Sequence, residues 1–125
     1  MTASHGAHAS LITVAGREYR VRRDFALICR IEERFGPLRE FAERLEGCRF
    51  TMREAVDLYR ALLADQTPPP VDEDIQDHVI RLGVMRIVTE LHPISTAFFF
   101  GEERFMKRVS QDKGGAERPP MAPAS

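Results

Sequence analysis

Residues 11–36 read LITVAGREYRVRRDFALICRIEERFG, and this stretch decides the fold class. Tyr19 and Val21 alternate with Glu18, Arg20 and Arg22, the period of a half-buried strand. Leu11-Ile12-Thr13-Val14 precedes them, with Ala15-Gly16 between, where Gly16 supplies the positive φ of a tight turn. The pattern predicts a β-hairpin over residues 10–23. An isolated hairpin is marginal in water, so its apolar face must pack on helices. Asp24 then offers an N-cap oxygen. Phe25, Ile28, Ile31 and Phe35 recur at helical spacing, with Glu32, Glu33 and Arg34 on the wet side. Gly36 is a natural stop and Pro37 reinforces it, which predicts a helix over residues 24–35.

Four further helices follow at about residues 37–46, 51–65, 72–91 and 93–109. Pro37 suits a first helical position, and Leu38, Phe41 and Leu45 form that helix's apolar face up to Gly47. Thr51-Met52-Arg53-Glu54 has the capping-box pattern, leading into Met52, Ala55, Val56, Tyr59, Leu62 and Leu63 on one face. Pro68-Pro69-Pro70 is a stiff spacer. Asp72, Glu73 and Asp74 then favour the dipole of a new helix. Ile75, Val79, Leu82, Val84, Met85, Ile87, Val88 and Leu91 spread over most of its circumference, so it needs cover on more than one side. Gly83 is read as a close helix approach, and His92-Pro93 as a break before the last helix. The expected fold class is mainly α with an N-terminal β-hairpin (α+β). A single domain spans 10–109, between a flexible leader (1–9) and a disordered tail (110–125).

Composition narrows the function classes. The chain has 125 residues, 43% hydrophobic and 30% charged, which is a globular mix of one-domain size. Its net charge of −1 lacks the basic excess of a nucleic-acid binder, so nucleic acid is not an expected partner. Arginine supplies all the basic residues except Lys107 and Lys113, and is spread along the whole chain. No run approaches the roughly 20 apolar residues of a membrane span, and the first ten residues lack the apolar core of a secretory signal. A cytoplasmic place in a bacterial host cell is expected, with no membrane partner. Cys29 and Cys48 match no metal or redox spacing and are expected to pack as small apolar groups without a disulfide.

No residues assemble a convincing catalytic, cofactor or metal site. Asp72, Asp74 and Asp77 lack the central glycine and distal glutamate of a calcium loop, and read as a solvated helix start. His5 and His8 sit in the leader without further ligands, and neither His78 nor His92 has a nucleophile beside it in sequence. The expectation is no enzyme, no cofactor and no metal. Arg20, Arg22 and Arg23 make a small basic patch, weakened by Glu18 on the same face. The least ordinary feature is Phe98-Phe99-Phe100 with Phe105 and Met106. Consecutive side chains on a helix point about 100° apart, so the three phenylalanines cannot all enter one core. Exposed aromatic and methionine clusters mark protein-binding surfaces, so these five residues are the candidate partner or self-association site.

Four segments in order carry a family resemblance: Gly16-Arg17-Glu18-Tyr19-Arg20-Val21-Arg22, Ile31-Glu32-Glu33-Arg34-Phe35-Gly36, the Gly47-Cys48-Arg49-Phe50-Thr51 break, and Glu54-Ala55-Val56-Asp57-Leu58-Tyr59. Together they resemble the small gene transfer agent and phage tail proteins encoded just upstream of the tape-measure gene. The resemblance covers about residues 10–65, with Ala15 where the family's turn usually has Asp or Asn. It implies a tail assembly chaperone that binds the tape-measure protein during tail morphogenesis, together with other tail proteins or further copies of itself. An older label for the family, tail tube protein, implies the alternative of a structural component retained in the particle. A small nucleic-acid-binding regulator acting through Arg20, Arg22 and Arg23 is the alternative from another class.

Overall fold

The computed structural model describes residues 8–108. Its elements are β1 (Ala9–Val14), β2 (Arg17–Arg22), α1 (Phe25–Phe35), α2 (Leu38–Glu46), α3 (Met52–Leu62), α4 (Asp72–Phe100) and a short α5 over residues 102–108. The architecture is mainly helical with an N-terminal antiparallel hairpin, in which Ile12 pairs with Tyr19 and Ser10 with Val21. β1 begins at Ala9, one residue inside the expected leader. Residues 1–7 of that leader and the tail from 110 onward lie outside the described residues.

Local chemistry sets most boundaries as the pattern predicts. Asp24 accepts from the Leu27 backbone N–H, and Gly36 stops α1 at φ 85°. Thr51 and Glu54 form the reciprocal capping box at the start of α3. The Arg44 guanidinium bonded to Glu54, together with the Thr51 backbone N–H, holds the Glu54 carboxyl below the usual carboxylate range. The hairpin turn has both central residues at positive φ, Ala15 at 53° and Gly16 at 78°, as a two-residue turn of this hand requires.

One core joins all the layers. Ile12, Val14, Tyr19 and Val21 from the hairpin meet Leu27 and Ile31 of α1, Phe41 and Leu45 of α2, and Leu58, Tyr59 and Leu62 of α3. Ile75, Val79, Ile87, Leu91 and Ile94 of α4 close it. Three side chains expected inside are outside: Phe25 is 76% exposed, Met85 is 70% exposed, and Met52 sits at the rim. Each lies at the edge of its helix's stripe, where cover is partial: Met85 Sδ lies 3.9 Å from Cys48 Sγ, and Met52 faces Val79 and Ile80 across a groove. Cys29 is likewise exposed and Cys48 half-buried, so the expectation that both pack inside holds only partly for Cys48; both are free thiols.

The largest correction concerns α4. Helices were expected over 72–91 and 93–109, broken at His92-Pro93. Instead Pro93 lies inside helix, and the non-helical residue is Gly83 (φ 77°, ψ 166°). Pro93 is tolerated because Leu91, Ile94 and Ala97 around it are buried, and packing outweighs the local cost of a proline. At Gly83 the chain adopts a conformation essentially closed to L-residues. It is not a close helix approach, since a Cβ there would meet nothing within 4 Å. His78 and Glu90 are 12 residues apart, about 18 Å in a straight helix. Their side chains nevertheless meet at 2.8 Å, so α4 folds back sharply at Gly83.

Two substitutions test these backbone readings by urea unfolding. Gly83→Ala forces a side chain into the elbow conformation and is expected to cost about 1–3 kcal/mol without any steric clash. Ala15→Asn relieves a left-handed alanine and is expected to stabilise the chain by roughly 1 kcal/mol, with an unchanged denaturant slope.

Candidate functional site

The three arginines read as a basic patch do not share a surface. Arg20 and Arg22 lie on the exposed face of β2, but Arg23 turns inward and its side chain is only 2% exposed. Its Nε donates to Glu102 Oε2 at 2.7 Å and its Nη2 to Glu102 Oε1 at 3.2 Å. Nη1 donates to the Ala9 carbonyl and to Ser10 Oγ, both at 2.7 Å. The Phe105 ring stacks on the guanidinium at 4.8 Å, and Met106 Sδ lies 3.9 Å from Nη2. A buried charge is tolerable only when paired and hydrogen-bonded in this way.

The five candidate partner-binding residues therefore separate into three environments. Phe98 is half-buried and packs against the core. Phe105 and Met106, also half-buried, enclose Arg23. Only Phe99 and Phe100 face outward, 46% and 49% exposed, in an edge-to-face pair with ring centroids 5.0 Å apart. This separation follows from the helical 100° step, which sends three consecutive phenylalanines to different sides.

Phe99 and Phe100 close one end of a shallow groove between α2 and the second half of α4. Ala42, Glu43 and Glu46 line one side, and His92, Ser95 and Thr96 the other. Glu46 Oε2 lies 2.8 Å from His92 Nδ1 and ties the two helices at the groove's rim, both side chains about half exposed. A second groove, between α3 and the first half of α4, is lined by Met52, Val56, Val79 and Ile80 with Arg53, Asp57 and Arg60. Ile80, 74% exposed, was not singled out in the sequence. The signal was its place beside Val79, off the 75/79/82 stripe.

A buried polar cluster also escaped the sequence reading. Tyr59 is fully buried, donates to Glu90 Oε1 at 2.5 Å, and meets the His78 ring edge-on at 4.9 Å. His78 Nε2 lies 2.8 Å from the same Glu90 oxygen. Burial first, then the Glu90 hydrogen bond and charge, push the Tyr59 phenol far above the ordinary tyrosine range. Sequence placed Tyr59 on an apolar stripe, but the carboxylate that accepts from its hydroxyl lies 31 positions away. Among the described residues, no group of three or more His, Cys, Asp or Glu side chains is placed to hold a metal ion. None of their helices is long and apolar enough to cross a membrane.

A hairpin followed by helices in this order leaves an aromatic pair outside at the end of the longest one, and the family match places the chain among phage or gene transfer agent tail-related proteins. Residues 8–101 match the family described as phage tail tube protein, GTA-gp10, and the chain belongs to that family. The match runs from the hairpin through all of α4, so it takes in the second half of the chain, beyond the 10–65 span of the motifs. No curated protein and no solved structure matches.

Tyr59 yields a direct test. With its folded pKa raised above the ordinary value near 10, its contribution to stability is whole below about pH 10 and is lost as the pH climbs higher. Alkaline titration followed by phenolate absorbance should show Tyr59 ionising only with unfolding, and the Tyr59→Phe variant should lose that unfolding-coupled phenolate signal.

Proposed function

We propose that this chain is a tail assembly chaperone that binds the tape-measure protein during tail morphogenesis, by reversible contact and without catalysis or a cofactor. The observation that carries the reading is the exposed Phe99–Phe100 pair at the end of the α2/α4 groove. A groove between two helices with an aromatic anchor suits an amphipathic client helix, which lays its apolar face along the floor. Glu43 and Glu46 give the groove an acidic rim, which favours a client segment carrying Lys or Arg beside its apolar stripe. The small apolar area suits release, because a chaperone must let go as the tube forms. The site narrows from five residues to Phe99 and Phe100, since Phe98, Phe105 and Met106 already serve contacts within the chain.

A second reading, a structural component retained in the tail, is favoured by the family's own description as a tail tube protein. Co-expression with the tape-measure protein, followed by pull-down and analysis of finished particles, separates the two. The chaperone reading expects a soluble complex and no chain in the particle. A chain found stoichiometrically in the particle, with no such complex, establishes the structural role.

The groove assignment is tested by Phe99→Ser combined with Phe100→Ser. Both side chains are half outside, so the fold should persist, with an unchanged circular dichroism spectrum. The yield of soluble client should fall about tenfold, the effect of ~1.4 kcal/mol of lost binding. Full client solubility with the double variant would remove the groove from consideration.

A further inference from the structure

Arg23 is held by two sets of contacts that differ in permanence. Ala9 and Ser10 belong to β1, the strand paired with the one that precedes Arg23, and stay with the hairpin. Glu102, Phe105 and Met106 all come from α5, which spans only residues 102–108. A helix that short does not persist in water by itself, so its docking on Arg23 is what orders it. Glu102 also lies 3.2 Å from Nδ1 of His8, the residue just before β1.

α5 is joined to α4 through one residue, Gly101, at φ 96° and ψ 147°. Glycine reaches helical angles as readily as this conformation. Gly101 N–H already donates to the Ala97 carbonyl at 2.8 Å, and Phe105 N–H to the Gly101 carbonyl at 3.0 Å. Each bond is set by residues on one side of the joint. Rotation about Gly101 alone therefore turns residues 84–108 into one continuous helix, keeps both bonds, and swings Glu102, Phe105 and Met106 away from their own hairpin. The residues that match the family end at 101, so the socket lies inside the matched span and the plug begins just outside it.

We propose that α5 is an exchangeable plug, and that the Arg23 socket of one copy accepts Glu102, Phe105 and Met106 from a second copy of this chain. The occupant is a second copy because this chain itself carries the carboxylate, aromatic ring and thioether at the spacing the socket fits. Every socket contact made within one chain is reproduced between two, so exchange costs only the joint rotation and the local concentration of the tethered plug. The exchange is head-to-tail, and it links copies into a ring or an open row. Phe99 and Phe100 immediately precede the joint, so a neighbour brought in this way arrives beside them. The inference does not depend on the tape-measure reading.

The test uses the full chain. Isotope-labelled and unlabelled protein are mixed, re-equilibrated through mild denaturant, and examined from about 10 μM up to about 1 mM, the order of effective concentration a short tether supplies. Isotope-filtered NMR should show contacts between Phe105 of one copy and Arg23 or Ser10 of another, growing with concentration alongside higher oligomers in sedimentation. Gly101→Ala, which disfavours the bent joint and adds no clash because nothing lies within 4 Å of the new Cβ, should strengthen self-association at least tenfold. Phe105–Arg23 contacts confined to single copies at every concentration, in both proteins, would overturn the proposal. So would oligomers that form while those contacts stay within one copy.

Discussion

The carboxylate of Glu90 joins three stretches that the chain would otherwise hold apart. It accepts the Tyr59 hydroxyl from α3 and lies against His78 from the first half of α4, while itself standing on the second half. That meeting is possible only because α4 reverses at Gly83. The reversal lets Ile75 and Val79 enter the same core as Ile87, Leu91 and Ile94, so one long apolar segment covers the other helices from two sides. A straight helix over residues 72–100 would run some 40 Å and leave half of its apolar circumference in water. The polar cluster also makes the arrangement specific. A buried tyrosine hydroxyl without a partner costs on the order of 1–3 kcal/mol, and only this fold-back brings the partner in.

Arg23 plays the corresponding part where the hairpin meets α5. It ends the hairpin, yet its guanidinium reaches α5, the last described element. A charge so thoroughly desolvated must keep a carboxylate beside it. The hairpin, which could not stand alone, is thereby anchored by its apolar face on the core and by its terminal charge on the C-terminal helix. The aromatic and sulfur side chains around Arg23 serve this anchoring, which is why they are not available in the groove.

What remains on the surface is informative for a protein of this family. Phe99 and Phe100 stay outside while Phe98 beside them is half-buried against the core, and Ile80 and Met52 line a second groove in which apolar and charged side chains mix. A small helical tail protein with two such grooves has room for more than one contact, whether the partner is a client or a further copy.

The sequence by itself determined whatever depends on neighbours along the chain: the hairpin from two-residue alternation, the α1 and α3 starts from Asp24 and the Thr51–Glu54 pair, and the stop at Gly36. Such signals are local, because capping and turn conformations involve residues within four positions of each other. It also required that Phe98, Phe99 and Phe100 diverge, by the helical step alone. Only the tertiary structure decided which of the three is outside, that Pro93 is carried inside a helix while Gly83 bends, and that Arg23 leaves the basic patch for a buried carboxylate. Those outcomes rest on contacts between residues 12 to 83 positions apart. Packing and desolvation outweigh local preference there, and neither is written in the order of the residues.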